Sequence, residues 1–327
     1  MQDKGGLLGL ILTSTLCVCA VLAGALYISG KTEVFSISKD TVSEYIISVP
    51  KDSITAENSS AVAVNGNKIG TVTPKFISPY NSNTYYNRVY INNKTDVPLN
   101  VSELLSAKNP VNIEKCAEPE VLIIHTHATE CYLPESRDYY TDTDLSRTTD
   151  NSKNTVAIGE VISKKLNNAG IKTINDSTAH DYPSYSGSYN RSKTTVEKYL
   201  KEYPSIKVVI DLHRDSIGTN GAKTKPLVTI NGKKAAQVML VMGCGAKMDD
   251  HKNWKQNMIF AVKYQQTMEV LYPGLARSMC FLNSKYNQNL SVGSILLEVG
   301  TDANSFEEAV TGAEFAADAL IAYLNTL

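Results

Sequence analysis

The chain has 327 residues, with 32 Lys and Arg against 33 Asp and Glu, for a formal net charge of −1. A phosphate-binding surface usually carries a basic surplus, so this balance argues against nucleic acid as the main partner. Charged residues make up 20% and hydrophobic residues 43%, a globular composition and not a disordered or many-span one, and six cysteines are too few for a disulfide scaffold at this length.

Leu7 to Ser29 carry no charge. The run LLGLILTSTLCVCAVLAGALYIS is long enough to cross a hydrocarbon core as a helix. Lys4 precedes it and Lys31 follows it, so the charge bias is weak, and an N-in, C-out orientation is read mainly from the segment's being first. Ala23-Gly24-Ala25 has the form of a signal-peptide cleavage site. The apolar residues continue past it through Ile28, which favours an uncleaved anchor over residues 1–30. In either case the rest of the chain is expected outside the cytoplasm.

Residues 31–115 are rich in Ser, Thr, Asn and Lys, with short β-branched runs broken by Asn-Gly and Pro. These are turn and hairpin signals without a long apolar period, so the segment reads as a β-poor stalk. Its tyrosines between Tyr80 and Tyr90 could stack on carbohydrate, but packing beside a small sheet is the commoner role.

The pattern changes in the third part, residues 116–327. Val121-Leu122-Ile123-Ile124 is a continuous apolar run, as expected for a strand buried on both faces. A helical period follows in NTVAIGEVISKKLNNAG, then a short strand IKTI, and a helix SKTTVEKYLKEYP stopped at Pro204. IKVVIDLH, QVMLVMG, MCFLN and SILLEVG are further strands, with helices at NWKQNMIFAVKYQQTMEVLY and SFEEAVTGAEFAADALIAYL. Strands alternating with helices predict an α/β domain with a largely parallel sheet flanked by helices, whose functional groups gather beyond the carboxyl ends of the strands.

Three of these strands end in residues able to bind a metal. VLIIHTHATE brings His125, His127 and Glu130; IKVVIDLHRDS brings His213 beside Asp211, Arg214 and Asp215; SILLEVGTDAN brings Glu298. Imidazole and carboxylate are suitable zinc ligands, and a catalytic zinc site uses three of them and leaves a position for water, with a base nearby. Each element alone has a plainer reading. A strand-end His more often only hydrogen-bonds, a single HxxE is a weak signal, and an acidic residue closing a strand can simply cap a helix. Three on separate strand ends of one domain are harder to dismiss. Cys131 raises a cysteine nucleophile as a rival, without a surrounding signature, and no G-x-S-x-G elbow is present.

The blocks HTHATE, SYSGSYNRS, IKVVIDLHRDS, NGKKAAQVMLVMG, HKNWKQN and YNQNLSVGSILLEVG, with the amino-terminal anchor, resemble the stage II sporulation protein P family over about residues 110–327. The resemblance implies a zinc amidase domain of the phosphorylase/hydrolase-like fold. It implies a membrane-anchored peptidoglycan hydrolase, an N-acetylmuramoyl-L-alanine amidase that also cuts peptide cross-links, acting in engulfment during sporulation. It implies stage II sporulation proteins D and M as partners, with protein Q as a further associate. Carried over by motif, His127, Glu130 and His213 are the zinc ligands and Glu298 the general base, with His125 an open alternative as ligand. Arg214 is expected either to assist the oxyanion as a catalytic residue or to pair with Asp211 or Asp215. Tyr185, Tyr189, Tyr286, Asn287 and Gln288 are candidates to line the groove. In the broader amidase group a ligand carboxylate opens the following helix; here that place holds Asp150, Asn151 and Asn154. The alternatives are a wall-binding scaffold without turnover, which has no need of a base at Glu298, and a zinc peptidase.

Overall fold

The computed structural model describes residues 66–219, 221–246 and 250–327, all within one compact unit. The anchor expected over residues 1–30 lies outside them, and among the described residues no helix is long and apolar enough to cross a membrane.

Two sheets organise the chain. The larger has eight strands: β2 (Thr84–Tyr86), β3 (Val89–Asn93), β12 (Met279–Leu282), β11 (Val238–Gly243), β13 (Ser294–Thr301), β7 (Val208–Asp215), β4 (Val121–Ile124) and β6 (Thr173–Asn175), in that spatial order. Its neighbours are parallel except at β2–β3 and β11–β13. The fold is therefore mixed α/β: β13, β7, β4 and β6 run one way, and β11, β12 and β3 run the other.

Period-two alternation distributes the side chains of the central strands between the two faces. Ile123, Ile210, Leu212 and Leu297 join the main core. That core also contains residues of α1 (Val101–Ser106), α2 (Thr155–Asn168), α4 (Trp254–Leu271) and α5 (Phe306–Leu324). On the opposite face Leu122, Ile124 and Val209 pack against Val196 of α3 (Ser188–Glu202). Asp211 and His213 follow Val209 at two-residue steps, so they share the α3 face, and the register pairs His213 with Glu298 on β13. Helix boundaries follow local chemistry. Asn154 caps α2 by accepting from the Val156 N–H at 2.9 Å, and Ser305 with Glu308 forms a capping box at the start of α5.

The smaller sheet was not visible in the hydrophobic pattern. It runs β10 (Lys233–Ala236), β9 (Ala222–Ile230), β1 (Lys68–Lys75), β5 (Tyr139–Thr141), with β8 (Gly218–Thr219) paired to β9. The described part of the expected stalk is thus woven into the α/β unit. β1 pairs in parallel with β9, and β3 with β12, so the chain does not divide at residue 115. In β1 only Val72 is buried, which erases the apolar signal there. One signal was present: Asn231-Gly232 joins β9 to β10 with φ of 51° and 78°, the left-handed pair of a tight hairpin. The sheet is fixed to the start of α5 by the buried Lys225–Glu308 ion pair at 2.7 Å and by Thr301 Oγ1 donating to the Thr224 carbonyl at 3.0 Å.

Near the end of α4, buried Glu269 accepts from the Gly274 N–H at 3.1 Å and the Ala276 N–H at 3.3 Å. Burial pushes its carboxyl from 4.5 up to about 7, against the pull of those amides. The folded state therefore holds this proton more tightly than the unfolded chain does. The resulting stability is fully present below pH 4.5 and is lost as the pH rises to about 7. Glu269→Gln, which keeps an acceptor but cannot titrate, is expected to flatten the decline over that window. The effect should be on the order of 3 kcal/mol in denaturant midpoints measured across pH.

Candidate metal centre

The first motif leaves β4 in a tight turn. The Glu130 N–H donates to the His127 carbonyl at 3.1 Å, so the HxxE spacing brings both side chains to one side. Thr126 anchors the turn: its N–H donates to Asp211 Oδ1 at 2.9 Å and its hydroxyl to Oδ2 at 2.7 Å. Because the strand ends at Ile124, His125 and His127 do not share a face. His125 is fully buried, donates from Nε2 to Asn175 Oδ1 at 2.9 Å, and burial pushes its pKa down. It is a structural histidine outside the cluster.

His127, Glu130 and His213 converge, each offering one ligand atom, with all three atoms within 4.8 Å of one another. His127 Nδ1 is 3.5 Å from Glu130 Oε1, and His213 Nδ1 is 3.4 Å from Oε2. The two histidines thus face the two oxygens of one carboxylate. The donor set, two imidazoles and one carboxylate, therefore fits a zinc ion. Asp211 Oδ1 lies 3.0 Å from His213 Nε2, out of line for a good hydrogen bond but near enough to fix which ring nitrogen faces Glu130.

The charges are coupled. Burial alone would raise the Glu130 carboxyl, but the two imidazoles and the charge of Arg214 hold it well below the usual carboxylate range. Burial would likewise lower His213, but Asp211 and Glu130 push it well above the ordinary histidine value. Metal binding at this site must displace a proton.

Glu298 is partly covered, yet its Oε2 is buried and has no hydrogen-bond partner. Burial pushes its carboxyl up to about 8; Glu130 and Asp215 add to the rise, and His213 and Arg277 oppose it.

Arg214 is not free to meet a substrate oxyanion, nor does its guanidinium pair with a carboxylate. It donates to the carbonyls of Cys131 at 3.1 Å, Ser146 at 2.6 Å and Asp215 at 3.4 Å, while its backbone N–H donates to Glu130 Oε2 at 3.2 Å. It clamps the loop that carries Glu130. Cys131 is buried, burial pushes its thiol up, and Sγ donates to the Leu145 carbonyl at 3.0 Å, which leaves no activated nucleophile. Asn154, at the helix start where a ligand carboxylate was sought, is occupied as a cap.

Aromatic rings wall the centre. Tyr185 stacks on His127 with centroids 4.6 Å apart, and the Arg147 guanidinium lies 4.8 Å over the Tyr185 ring. Tyr189 meets His127 edge-on at 5.7 Å and lies 6.1 Å from Tyr286. Asn287 and Gln288 serve the backbone. Asn287 Nδ2 donates to the Tyr189 carbonyl at 2.8 Å, and Gln288 bridges the Gly243 N–H and the Val241 carbonyl. Two arginines were missed. Arg147 Nη2 is 3.4 Å from Glu130 Oε1 and its Nη1 is 2.6 Å from Asp181. Buried Arg277 pairs with Asp215 at 2.7 Å. Neither stands in a motif, so no sequence signal could have singled them out.

Fold and site together define a mixed α/β protein with a candidate mononuclear metal centre at its strand ends. A sequence model of the stage II sporulation protein P family matches residues 35–321, and the chain belongs to that family. Stage II sporulation protein P of Bacillus subtilis (strain 168) is 32% identical over 209 residues, 61% of this chain and 49% of the relative. The chain thus spans about half the length of that curated relative. Among solved structures, an N-acetylmuramoyl-L-alanine amidase from Clostridium difficile 630 is similar with a TM-score of 0.40 at 14% identity, over 64% of this chain and 97% of that one. The N-acetylmuramoyl-L-alanine amidase AmiC2 of Nostoc punctiforme gives 0.35 at 10%, over 66% and 98%. At those scores the functional reading rests on the site and the family.

Asp211→Asn removes the charge beside His213 while keeping the Thr126 contacts partly satisfied. It is expected to weaken zinc binding about 10–100-fold in chelator competition without loss of fold by circular dichroism.

Proposed function

We propose that the chain is a membrane-anchored, zinc-dependent peptidoglycan hydrolase that cleaves the amide between muramic acid and L-Ala during sporulation engulfment. The observation that carries this reading is the convergence of His127, Glu130 and His213 with Glu298 in register on the neighbouring strand. The family supports the substrate class, an extracytoplasmic catalytic domain, and stage II sporulation proteins D and M, with Q, as partners.

A zinc ion held by His127, Glu130 and His213 would polarise the amide carbonyl and lower the pKa of the attacking water. Glu298 takes the proton from that water and later gives it to the departing amine of L-Ala. Burial raises the Glu298 carboxyl, and a cation held beside it would favour the ionised form that accepts the proton. Asp211 orients His213, and Arg214 holds the Glu130 loop in place. Tyr185 packs on His127 and shields one side of the site from water.

Glu298→Gln is expected to keep zinc and fold but to lower release of stem peptides from purified sacculi at least about 100-fold. Undiminished release by that variant would remove the mechanism. Mass analysis of the wild-type products is expected to show a free L-Ala amino terminus. Cleavage only at peptide cross-links would make the chain a zinc peptidase, and absence of any cleavage by zinc-loaded protein would leave a wall-binding scaffold. Stripping the metal with a chelator should stop release, and added zinc should restore it.

A further inference from the structure

Tyr189 brings to the rim of the metal centre a donor that no described residue uses. Tyr189 is the second residue of α3, directly after the turn at Gly187, whose φ is 81°. Its backbone is tied down: its carbonyl accepts from Asn287 Nδ2 at 2.8 Å and from Ser192 Oγ at 3.2 Å. Ser192 Oγ lies 2.7 Å from Thr126 Oγ1, the hydroxyl that also holds Asp211. The ring is fixed as well, edge-on to His127 at 5.7 Å and 6.1 Å from Tyr286. The side chain is only half-buried, and its hydroxyl makes no hydrogen bond with any described residue. The ring's contact with His127 places Tyr189 at the rim of the metal centre.

The two arginines nearest Glu130 are committed. Arg214 is committed to three carbonyls, and Arg147 to Asp181, Thr129 and Glu130. A phenol is neutral and protonated at physiological pH, and acidic neighbours only reinforce that state. A fixed, uncommitted O–H among acidic groups finds its best acceptor in an oxygen that gains negative charge during the reaction.

We propose that Tyr189 is a catalytic residue whose hydroxyl donates a hydrogen bond to the carbonyl oxygen of the scissile amide as that oxygen becomes the oxyanion. This rests on the amide-hydrolase reading above and adds to it the group that senses charge build-up on the substrate. No proton changes owner: the hydrogen bond strengthens when water adds to the carbonyl carbon and relaxes when the C–N bond breaks and C=O reforms. A donor of this kind acts mainly on the transition state, so its loss should fall on kcat rather than on KM.

The test uses the full chain loaded with zinc and the variant Tyr189→Phe, which keeps the ring and its packing on His127. Turnover is measured on a soluble muropeptide. Binding is measured to the same muropeptide in a Glu298→Gln background, and to a phosphinate analogue with a tetrahedral anionic phosphorus in place of the scissile carbonyl. The expected result is a fall in kcat of about 100-fold, with KM changed less than about threefold. Affinity for the phosphinate should fall nearly as far, with affinity for the muropeptide, zinc content and melting temperature unchanged. A kcat within about threefold of wild type overturns the proposal. So does equal weakening of muropeptide and phosphinate, which would make Tyr189 a wall of the groove, and so does loss of zinc, which would make it a support for His127. The amide-hydrolase reading fails separately, if Glu298→Gln turns over normally or wild type does not cleave. The phosphinate comparison still decides the role of Tyr189 in that case, because it needs no turnover.

Discussion

The carboxylate of Glu130 is where separate parts of the chain are forced to meet. His127 reaches it from the same turn, His213 and the backbone N–H of Arg214 from the end of β7, and Arg147 from the loop between β5 and α2. A buried carboxylate without such partners would take up a proton, so the turn after β4 holds its shape only while the end of β7 is in place. The same group makes the site selective about what enters it. Two imidazoles and one carboxylate form a donor set suited to a compact divalent cation, and Asp211 behind His213 keeps the ring from turning away. Loop, strand and ligand set are therefore one arrangement and not three.

Much of this was legible in the amino-acid sequence because the central strands are buried on both faces. The apolar runs Val121–Ile124 and Val208–Ile210 can only be interior strands, and polar residues that follow them directly must emerge at an edge. The i, i+2 spacing of Asp211 and His213 put both on one face. The smaller sheet escaped because β1 is solvated at most positions, β5 is only three residues long, and β9 contains Pro226 in mid-run. The stalk boundary failed for the same reason. Short, polar strands read as linker until their partners, far away in sequence, are known.

The candidate site shows a different limit. His125 and His127 cannot be separated by spacing alone, since an extended chain would direct both the same way. The turn that parts them is set by Thr126 bonding to Asp211, a contact across 85 positions. The motif leaves Arg214 open between an oxyanion role and pairing with Asp211 or Asp215. Its actual partners are backbone carbonyls, which leave no trace in a motif. Arg147 and Arg277 act through tertiary proximity only. Residue chemistry was readable; the direction in which each side chain points was not.

The placement of β13 has a temporal consequence. This strand follows every other described strand in the chain, yet it lies inside the large sheet, between β11 and β7. Until residues through Thr301 have left the ribosome, the two halves of the sheet have no seam to close on, and Glu298 is not yet in its register opposite His213. The turn that carries His127 and Glu130 is local in sequence, whereas Glu298 reaches it only through the pairing of β13 with β7.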